Sequence, residues 1–416
     1  MSIEKADKYD VIIVGSGISG LNCANKLSAA GLKVLVIEKS DSVGGRIKTG
    51  SVNDFKLNRG FHVLLTAYPE VKSTFNSKEL NFKKFFPGCL IWNGSSMVEV
   101  VDPLMHPIKG IKQLMNPIGK LKDYLVLIYL WIILRFGLPT RKGISTNKYF
   151  KELGFSDLII TRFLRPFFSG VFLESKLETS VEKFNEVFKY FLRGDVVLPS
   201  QGIVSLANQI HRNISGCDFL FNSEVNKVSE NEVQLKSGEL FKSNHVVLAV
   251  DLKSKNRLLG LGVNSKFNRV VNFYFSYKKN NLFPEYKLVL NGSDSGPINN
   301  LVFMDGGLPE NEKGLISVSI IKSQFFELEN LEEAILKQLE EWYGGSLEDV
   351  RFMEKIDIRN AVPYQPEIEE YNLKLKNNIY YCGDYCGVAS LNTSLKTSRM
   401  ISEAILSENS YNYEIK

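Results

Sequence analysis

Cysteine and histidine are scarce in this chain, with five of the first and four of the second among 416 residues. Cys23, Cys89, Cys217, Cys382 and Cys386 are too few and too scattered for a disulfide scaffold or a zinc site. No metal is expected, and a reducing, cytoplasmic setting fits. No block of like charge stands out either: the net charge of +5 is spread along the chain. That argues against a nucleic-acid partner but would not oppose an anionic membrane surface. Met1 to Lys8 is charged and lacks the apolar core of a signal peptide. No apolar run reaches the ~20 residues needed to span a bilayer. Internal repeats and long low-complexity segments are missing, as are a Ser-His-Asp order, a His-Glu-x-x-His pair and a phosphate P-loop. What remains is an ordinary globular composition, 44% apolar and 23% charged, on a chain long enough for two domains and a sizeable core.

The most informative stretch is the first. Asp10-Val11-Ile12-Ile13-Val14 is apolar, β-branched and bounded by glycine, which predicts a short buried strand. Gly15, Gly17 and Gly20 follow in the pattern G-x-G-x-x-G, enclosing Ser16, Ile18 and Ser19. A small-residue helix over Leu21 to Ala30 is stopped by Gly31, and Lys33 to Ile37 reads as a second strand. In such a unit the glycines allow a tight turn, close approach of a pyrophosphate to backbone, and close helix–strand packing. The phosphates sit at the helix N-terminus, where free N–H groups and the dipole favour negative charge. Glu38 ends the second strand, where a carboxylate can accept both ribose hydroxyls of an adenosine. A lone glycine motif is weak; the complete strand–loop–helix–strand–acid unit is a strong sign of a dinucleotide site.

Lys39-Ser40-Asp41-Ser42-Val43-Gly44-Gly45-Arg46-Ile47 resembles the second signature of one flavoprotein superfamily, which includes monoamine and polyamine oxidases, protoporphyrinogen oxidase and the phytoene desaturases. The resemblance implies that the dinucleotide is FAD. Gly44 and Gly45 would let backbone approach it, and Arg46 offers a planar cation to the pyrophosphate or to a neighbouring carboxylate. Asn58-Arg59-Gly60-Phe61-His62 is similar to the segment that passes the flavin ring in this superfamily. Arg59 to Glu70 resembles more closely a subgroup carrying R-G-F-x-V-L-L-T-A-Y-P-E. Near the other end, Asn378 to Asp384 reads as a strand closing in Gly383-Asp384, followed by Ser390-Leu391-Asn392 and a helix to Leu406. In relatives that aspartate contacts ribityl or pyrophosphate oxygens, and the helix directs its N-terminus at the flavin, where its dipole stabilises negative charge. Thr393-Ser394 and Thr397-Ser398-Arg399 replace the smaller residues usual there, which puts the close packing of that helix in question. Cys382 and Cys386 lie near this site and read as unreactive thiols rather than as a flavin attachment or a redox pair.

The resulting expectation is an α/β chain: a Rossmann-like FAD-binding domain from residues 1–78, 197–260 and 367–416, and a discontinuous substrate domain from 79–196, mostly helical, and 261–366, an antiparallel sheet. Phe85 to Gly88, Leu90 to Gly94 and Met97 to Val100 read as short strands, and Asp102-Pro103 opens a helical region through Ile108 to Met115 and on to Phe136. Within it, Tyr124 to Leu134 is the most hydrophobic stretch, flanked by Lys120, Lys122 and Arg135. One reading is a helix lying in a membrane interface beside a tunnel for a lipophilic substrate, making 120–138 a membrane-surface contact. The preferred one is a helix buried on all sides. Ser145 to Gly154 is a further helix capped by Ser145 or Thr146, and Phe155 to Phe168 is a helix interrupted at Pro166. The aromatics of Arg162 to Phe172 read as core in preference to a substrate wall, and Arg162 and Arg165 as exposed or structurally paired rather than as carboxylate ligands. Leu198 to Val204 resembles the superfamily's re-entry into the cofactor domain. Phe219 to Val228, Glu232 to Lys236 and Leu240 to Lys242 form a meander, with Val225 at the position whose backbone meets adenine in relatives, and Asn244 to Val250 rejoins the parallel sheet. Val270 to Tyr277 and Gly314 to Ile321 are strands of the substrate domain, Leu328 to Tyr343 an amphipathic helix, and Arg359 to Tyr364 a strand leading back toward the flavin.

The function this implies is hydride transfer from a largely apolar small molecule, an isoprenoid or tetrapyrrole for example, onto flavin N5. The sequence names no general base; His62 lies in the segment expected near the ring and titrates in a useful range, but an orienting hydrogen-bond role suits it better than catalysis. Three alternatives stay open: an amine oxidase, a non-redox carotenoid-type isomerase, and a non-catalytic binding module like the Rab escort proteins. Glu38, Gly44-Gly45-Arg46 and Gly383-Asp384 count against the last.

Overall fold

The computed structural model describes residues 8–101, 110, 118–279, 286–305, 313–369, 372–375 and 378–414. Tyr9–Val14 forms the centre of a seven-stranded sheet, paired in parallel with Val34–Ile37 on one side and Leu240–Leu248 on the other. Cys217–Leu220 extends the sheet in parallel beyond Val34–Ile37. Val11, Ile12 and Ile13 are fully buried, as strands covered on both faces must be. The Ile18–Ala29 helix packs Cys23, Ala24 and Leu27 onto one face, where the Leu391–Glu414 helix adds Ile401 and Ile405.

The meander differs from expectation. Residues 219–228 are not one strand: Cys217–Leu220 belongs to the parallel edge, and the chain turns before Val225–Ser229. Conversely, Leu240–Leu248 is a single strand rather than two. Its first half pairs antiparallel with Glu232–Leu235, and its second half pairs in parallel with both Tyr9–Val14 and Ile379–Tyr381. Its exposed, alternating beginning and fully buried end suit those two environments.

A second seven-stranded sheet runs in the order Arg351–Pro363, Phe267–Lys278, Lys313–Ile320, Asn300–Met304, Leu288–Asn291, Gly88–Trp92 and Met97–Val101. It is antiparallel except where Leu288–Asn291 meets Gly88–Trp92. Residues 85–87 join strands Phe82–Lys84 and Gly88–Trp92 instead of starting one. The Leu331–Tyr343 helix buries Ile335, Leu339 and Trp342 against Phe273, Phe275, Ile316 and Val318 on one face. Tyr274 lies on the other face, and its hydroxyl donates to the Asn58 carbonyl at 2.7 Å, fastening this sheet to the loop that carries Gly60.

Helices fill the space between residues 118 and 191. Pro166 does not interrupt its helix. A π-helical turn at Ile160–Leu164 precedes it, and Pro166 then falls in the first turn of Arg165–Phe172, where its missing N–H is tolerated. Thr146–Glu152 is capped as expected, the Ser145 hydroxyl accepting from Lys148 N–H. The helical region expected from Asp102 through Met115 lies outside the described residues, apart from Gly110.

The Leu121–Phe136 helix overturns the preferred reading of its sequence. Only Asp123, Leu130, Ile133 and Leu134 are buried, whereas Leu121 and Leu125 are 64% exposed and Phe136 71%. Ile128, Tyr129 and Ile132 continue the exposed stripe at helical spacing. The buried face is anchored by Asp123, whose carboxylate accepts from Lys120 N–H, Ser156 N–H and the Ser156 hydroxyl. At the other end Arg193 donates to the Leu134 and Arg135 carbonyls. Among the described residues no helix is long and apolar enough to cross a membrane.

Candidate functional site

The two sheets meet at one cavity of about 2250 Å³. Ordinary ligand pockets enclose roughly 300–1,000 Å³, so this one has room for a dinucleotide and a substantial second molecule. One end is the glycine loop. Gly15, Gly17, Ile18, Ser19, Glu38, Lys39, Gly44, Gly45 and Arg46 all line it, as does Val225. Gly20 does not. A Cβ there would lie 1.9 Å from the Gly15 carbonyl oxygen, so its role is to let the helix close onto the loop. Around Gly17, by contrast, a Cβ would meet nothing within 4 Å, the open space a pyrophosphate needs against the helix N-terminus.

Glu38 is held by groups that sequence reading missed. Ser16 N–H and its hydroxyl donate to one carboxylate oxygen at 2.8 and 3.0 Å; Ser40 N–H and its hydroxyl donate to the other at 2.9 and 2.8 Å. The two backbone donors are fixed, while the two hydroxyls can rotate aside for ribose hydroxyls. Burial works against the charge of Glu38, but these hydrogen bonds outweigh it and hold the carboxyl below its usual range. A group with a depressed folded-state pKa contributes stability above its unfolded value of about 4.5 and loses it as pH falls through the lower folded value. Bound flavin should therefore be retained at pH 5 and released only in more acid solution; flavin fluorescence during an acid titration reads this. Release already complete at pH 5 would count against Glu38 as the ribose acceptor.

Arg46 meets a carboxylate, and it is Asp384. The pair is bidentate, at 2.8 and 2.6 Å, between the second glycine motif and the closing Gly383-Asp384. Arg46 also donates to the Ala361 carbonyl at 3.3 Å, bringing in the strand that leads back from the second sheet. Gly383, Asp384, Ser390 and Leu391 line the cavity. Asn392 does not: its side-chain oxygen accepts from Glu70 N–H. Glu70 in turn pairs with Arg399, so the end of the R-G-F-x-V-L-L-T-A-Y-P-E segment ties the final helix in place. The hydroxyl-bearing residues of that helix are accommodated. Ser398 is fully buried and accepts from the Asn22 side-chain amide at 2.8 Å, while Thr397 accepts from Gly383 N–H. Packing against the first helix is kept by hydrogen bonding instead of by small size.

Gly60, Phe61 and His62 line the middle of the cavity. His62 Nε2 lies 2.9 Å from the Arg59 carbonyl. Burial pushes the imidazole below its usual pKa, and nearby Arg46 adds to that. The ring is thus neutral at pH 7, with Nε2–H donating and Nδ1 left as an acceptor. Cys382 is buried at the cavity wall and Cys386 half-buried; burial raises both thiols, so neither is a thiolate near neutral pH.

The far end is apolar. Phe163 and Phe167 line it, whereas Phe172 packs only into core, so the aromatic segment divides between the two roles left open for it. Arg162 and Arg165 lie outside this lining. Val187, Phe188 and Phe191 from the Val181–Phe191 helix join the wall, together with Tyr124, Leu127, Ile128 and Trp131 from Leu121–Phe136. Ile128 is also 56% exposed, so the apolar helix forms the rim of the cavity. Lys183, which the sequence reading passed over, also faces the cavity. Among the described residues no group of His, Cys, Asp and Glu could hold a metal.

A family model described as flavin containing amine oxidoreductase matches residues 18–406. Among curated proteins, the chain is 36% identical over 85 residues to protoporphyrinogen oxidase 2, chloroplastic/mitochondrial, of Arabidopsis thaliana, covering 20% of this chain and 17% of that protein. It is 32% identical over 98 residues to 15-cis-phytoene desaturase of an Oncidium hybrid cultivar, covering 23% and 16%. These matches thus span about a sixth of each relative's length. Among solved structures, an oxidoreductase from Methanosarcina mazei superposes with a TM-score of 0.76 at 16% identity, over 94% of this chain and 99% of that one.

Proposed function

We propose, on the premise that the chain belongs to the flavin containing amine oxidoreductase family, that it is an FAD-dependent oxidoreductase acting on a large, mainly apolar molecule delivered from a membrane surface. The observation that carries this reading is the single cavity joining the dinucleotide end to an aromatic wall and a rim of exposed apolar helix. FAD, when bound, would supply two-electron chemistry for hydride removal from a substrate carbon, with a separate acceptor for the electrons. The protein's own residues bind, orient and exclude water. Glu38 and its two serine partners hold the ribose, and Gly15 and Gly17 admit the pyrophosphate. The Arg46–Asp384 pair joins the first and last motifs across the site, and the N-terminus of Leu391–Glu414 faces the cavity with its positive dipole end. Phe163, Phe167 and Phe191 keep water from the substrate's apolar body. His62, neutral and fixed by the Arg59 carbonyl, orients substrate as an acceptor through Nδ1.

The membrane part of the proposal rests on charge as well as exposure. Lys122 and Arg135 are exposed near the two ends of the stripe, and Lys142 follows it, a pattern suited to anionic headgroups. The names of two relatives, a protoporphyrinogen oxidase and a phytoene desaturase, agree with an apolar substrate.

The test is the visible spectrum of the purified protein before and after anaerobic incubation with an amine, a tetrapyrrole and a polyene. Bleaching by the tetrapyrrole or polyene supports the proposal. Bleaching by the amine alone would replace it with amine oxidation. Absence of any flavin band after soaking with FAD would sink the oxidoreductase reading.

A further inference from the structure

The side chain of Lys183 is only 2% exposed, yet its ammonium nitrogen has no hydrogen bond or ion pair among the described residues. A lysine is almost never fully buried unless paired. Its Nζ lies over the face of Phe172, 5.8 Å from the ring centroid. The residue lines the cavity, in the first turn of the eleven-residue Val181–Phe191 helix. Its backbone N–H is already capped by the Ser180 hydroxyl, so only the side chain is left over.

The two carboxylates that bear on it already have partners. Asp384 is engaged bidentately by Arg46. Glu174 accepts from Lys176 N–H and Thr179 N–H. Gln365 accepts from Ala389 N–H and donates to the Gly387 carbonyl. Burial pulls the Lys183 pKa down to about 8, with Asp384 and Glu174 opposing and Arg46 assisting. Ser180, which caps its helix, donates through its N–H to the Gln365 carbonyl, and Gln365 is bonded to Gly387 and Ala389, so this helix end lies beside the loop that follows Asp384. A buried amine of this kind is stabilised by an acceptor that a ligand brings into the cavity. The helix N-terminus beneath it also prefers an anion. A substrate ammonium would meet a like charge.

Building on the apolar-substrate reading above, we propose that Lys183 anchors a carboxylate on the substrate, so that the molecule is an amphiphilic acid with its head group near the flavin end and its apolar body along Phe163, Phe167 and Trp131. The anchor fixes which carbon faces the ring, because the acid end cannot exchange places with the tail without leaving Lys183 unpaired.

The experiment measures binding of decanoate, decanol and decylamine to the flavin-loaded protein, by perturbation of flavin absorption and by calorimetry, in wild type, Lys183→Met and Lys183→Gln. Decanoate should bind wild type roughly 10- to 100-fold more tightly than decanol, as a charge-assisted hydrogen bond provides. Lys183→Met should bring that ratio to about 1 while flavin and decanol binding persist, and Lys183→Gln, which keeps a donor, should retain a small preference. Met replaces a buried amine by an apolar chain of similar length, so the fold should hold, with flavin retention as the control. Equal binding of acid and alcohol to wild type, or a preference that survives in Lys183→Met, would overturn the anchor and leave the oxidoreductase reading untouched. If the protein takes up no flavin, that reading fails. Calorimetry on the flavin-free chain then still decides the anchor by the same ratio.

Discussion

Arg46→Ala and Asp384→Ala will each destabilise the protein by roughly 2–3 kcal/mol, and the double variant will lose little more than either single one. Breaking a fully buried pair costs about 3–5 kcal/mol, since the surviving charge is stranded. The estimate is reduced because the Arg46 side chain keeps 39% of its surface open, against 9% for Asp384. The bidentate geometry makes the two residues one unit, so a double-mutant cycle should give a coupling of about 1.5–3 kcal/mol. Denaturant unfolding monitored by circular dichroism supplies the four values. Flavin retention should fall in step, because the pair joins the second glycine motif to the closing strand. Strict additivity would show that the two residues act separately and that the contact has no part in closing the site.

Leu125→Glu combined with Phe136→Glu will weaken binding to vesicles of anionic phospholipid by at least ~100-fold. Fully burying a large apolar side chain is worth roughly 1.5–3 kcal/mol, and two are removed while two negative charges are added. Neither residue lines the cavity, and both are largely exposed, so the fold and the turnover of a detergent-dispersed substrate should be unchanged. Vesicle co-sedimentation makes the comparison. If wild type and the double variant sediment alike, the exposed stripe is not a lipid contact.

The glycine pattern and Glu38 were legible as a unit because a dinucleotide site would constrain residue types at fixed spacings. Gly15, Gly17, Glu38, Gly44 and Gly45 line one cavity, and the backbone approach and ribose geometry proposed for them are local demands. Ser16 and Ser40 were overlooked because serine near a glycine loop is unremarkable until the carboxylate it serves is placed. Lys183 was missed for a similar reason. In Val-Glu-Lys-Phe-Asn-Glu-Val-Phe it reads as one of the solvated charges of an amphipathic helix, and only the tertiary arrangement turns it inward. The Leu121–Phe136 helix failed differently. It is apolar almost all round, so no periodicity tells which side is covered, and burial was inferred from composition alone. The strand at Leu240–Leu248 looked like two because its pattern changes halfway, from alternating to continuous. The change marks a switch from an antiparallel to a parallel partner, not a break in the chain.

The buried hydrogen bond from Asn22 to Ser398 spans 376 positions of sequence. At ordinary rates of protein synthesis, about 5–20 residues per second, roughly 20–75 s pass between the emergence of the first helix and that of the last. Throughout that interval Cys23, Ala24 and Leu27 have no final helix to cover the layer they form with the sheet. The helix that follows the glycine loop thus lacks part of its packing until the final helix is made. A nascent chain should depend on chaperone cover over its first βαβ unit, and flavin capture should await the arrival of the final helix.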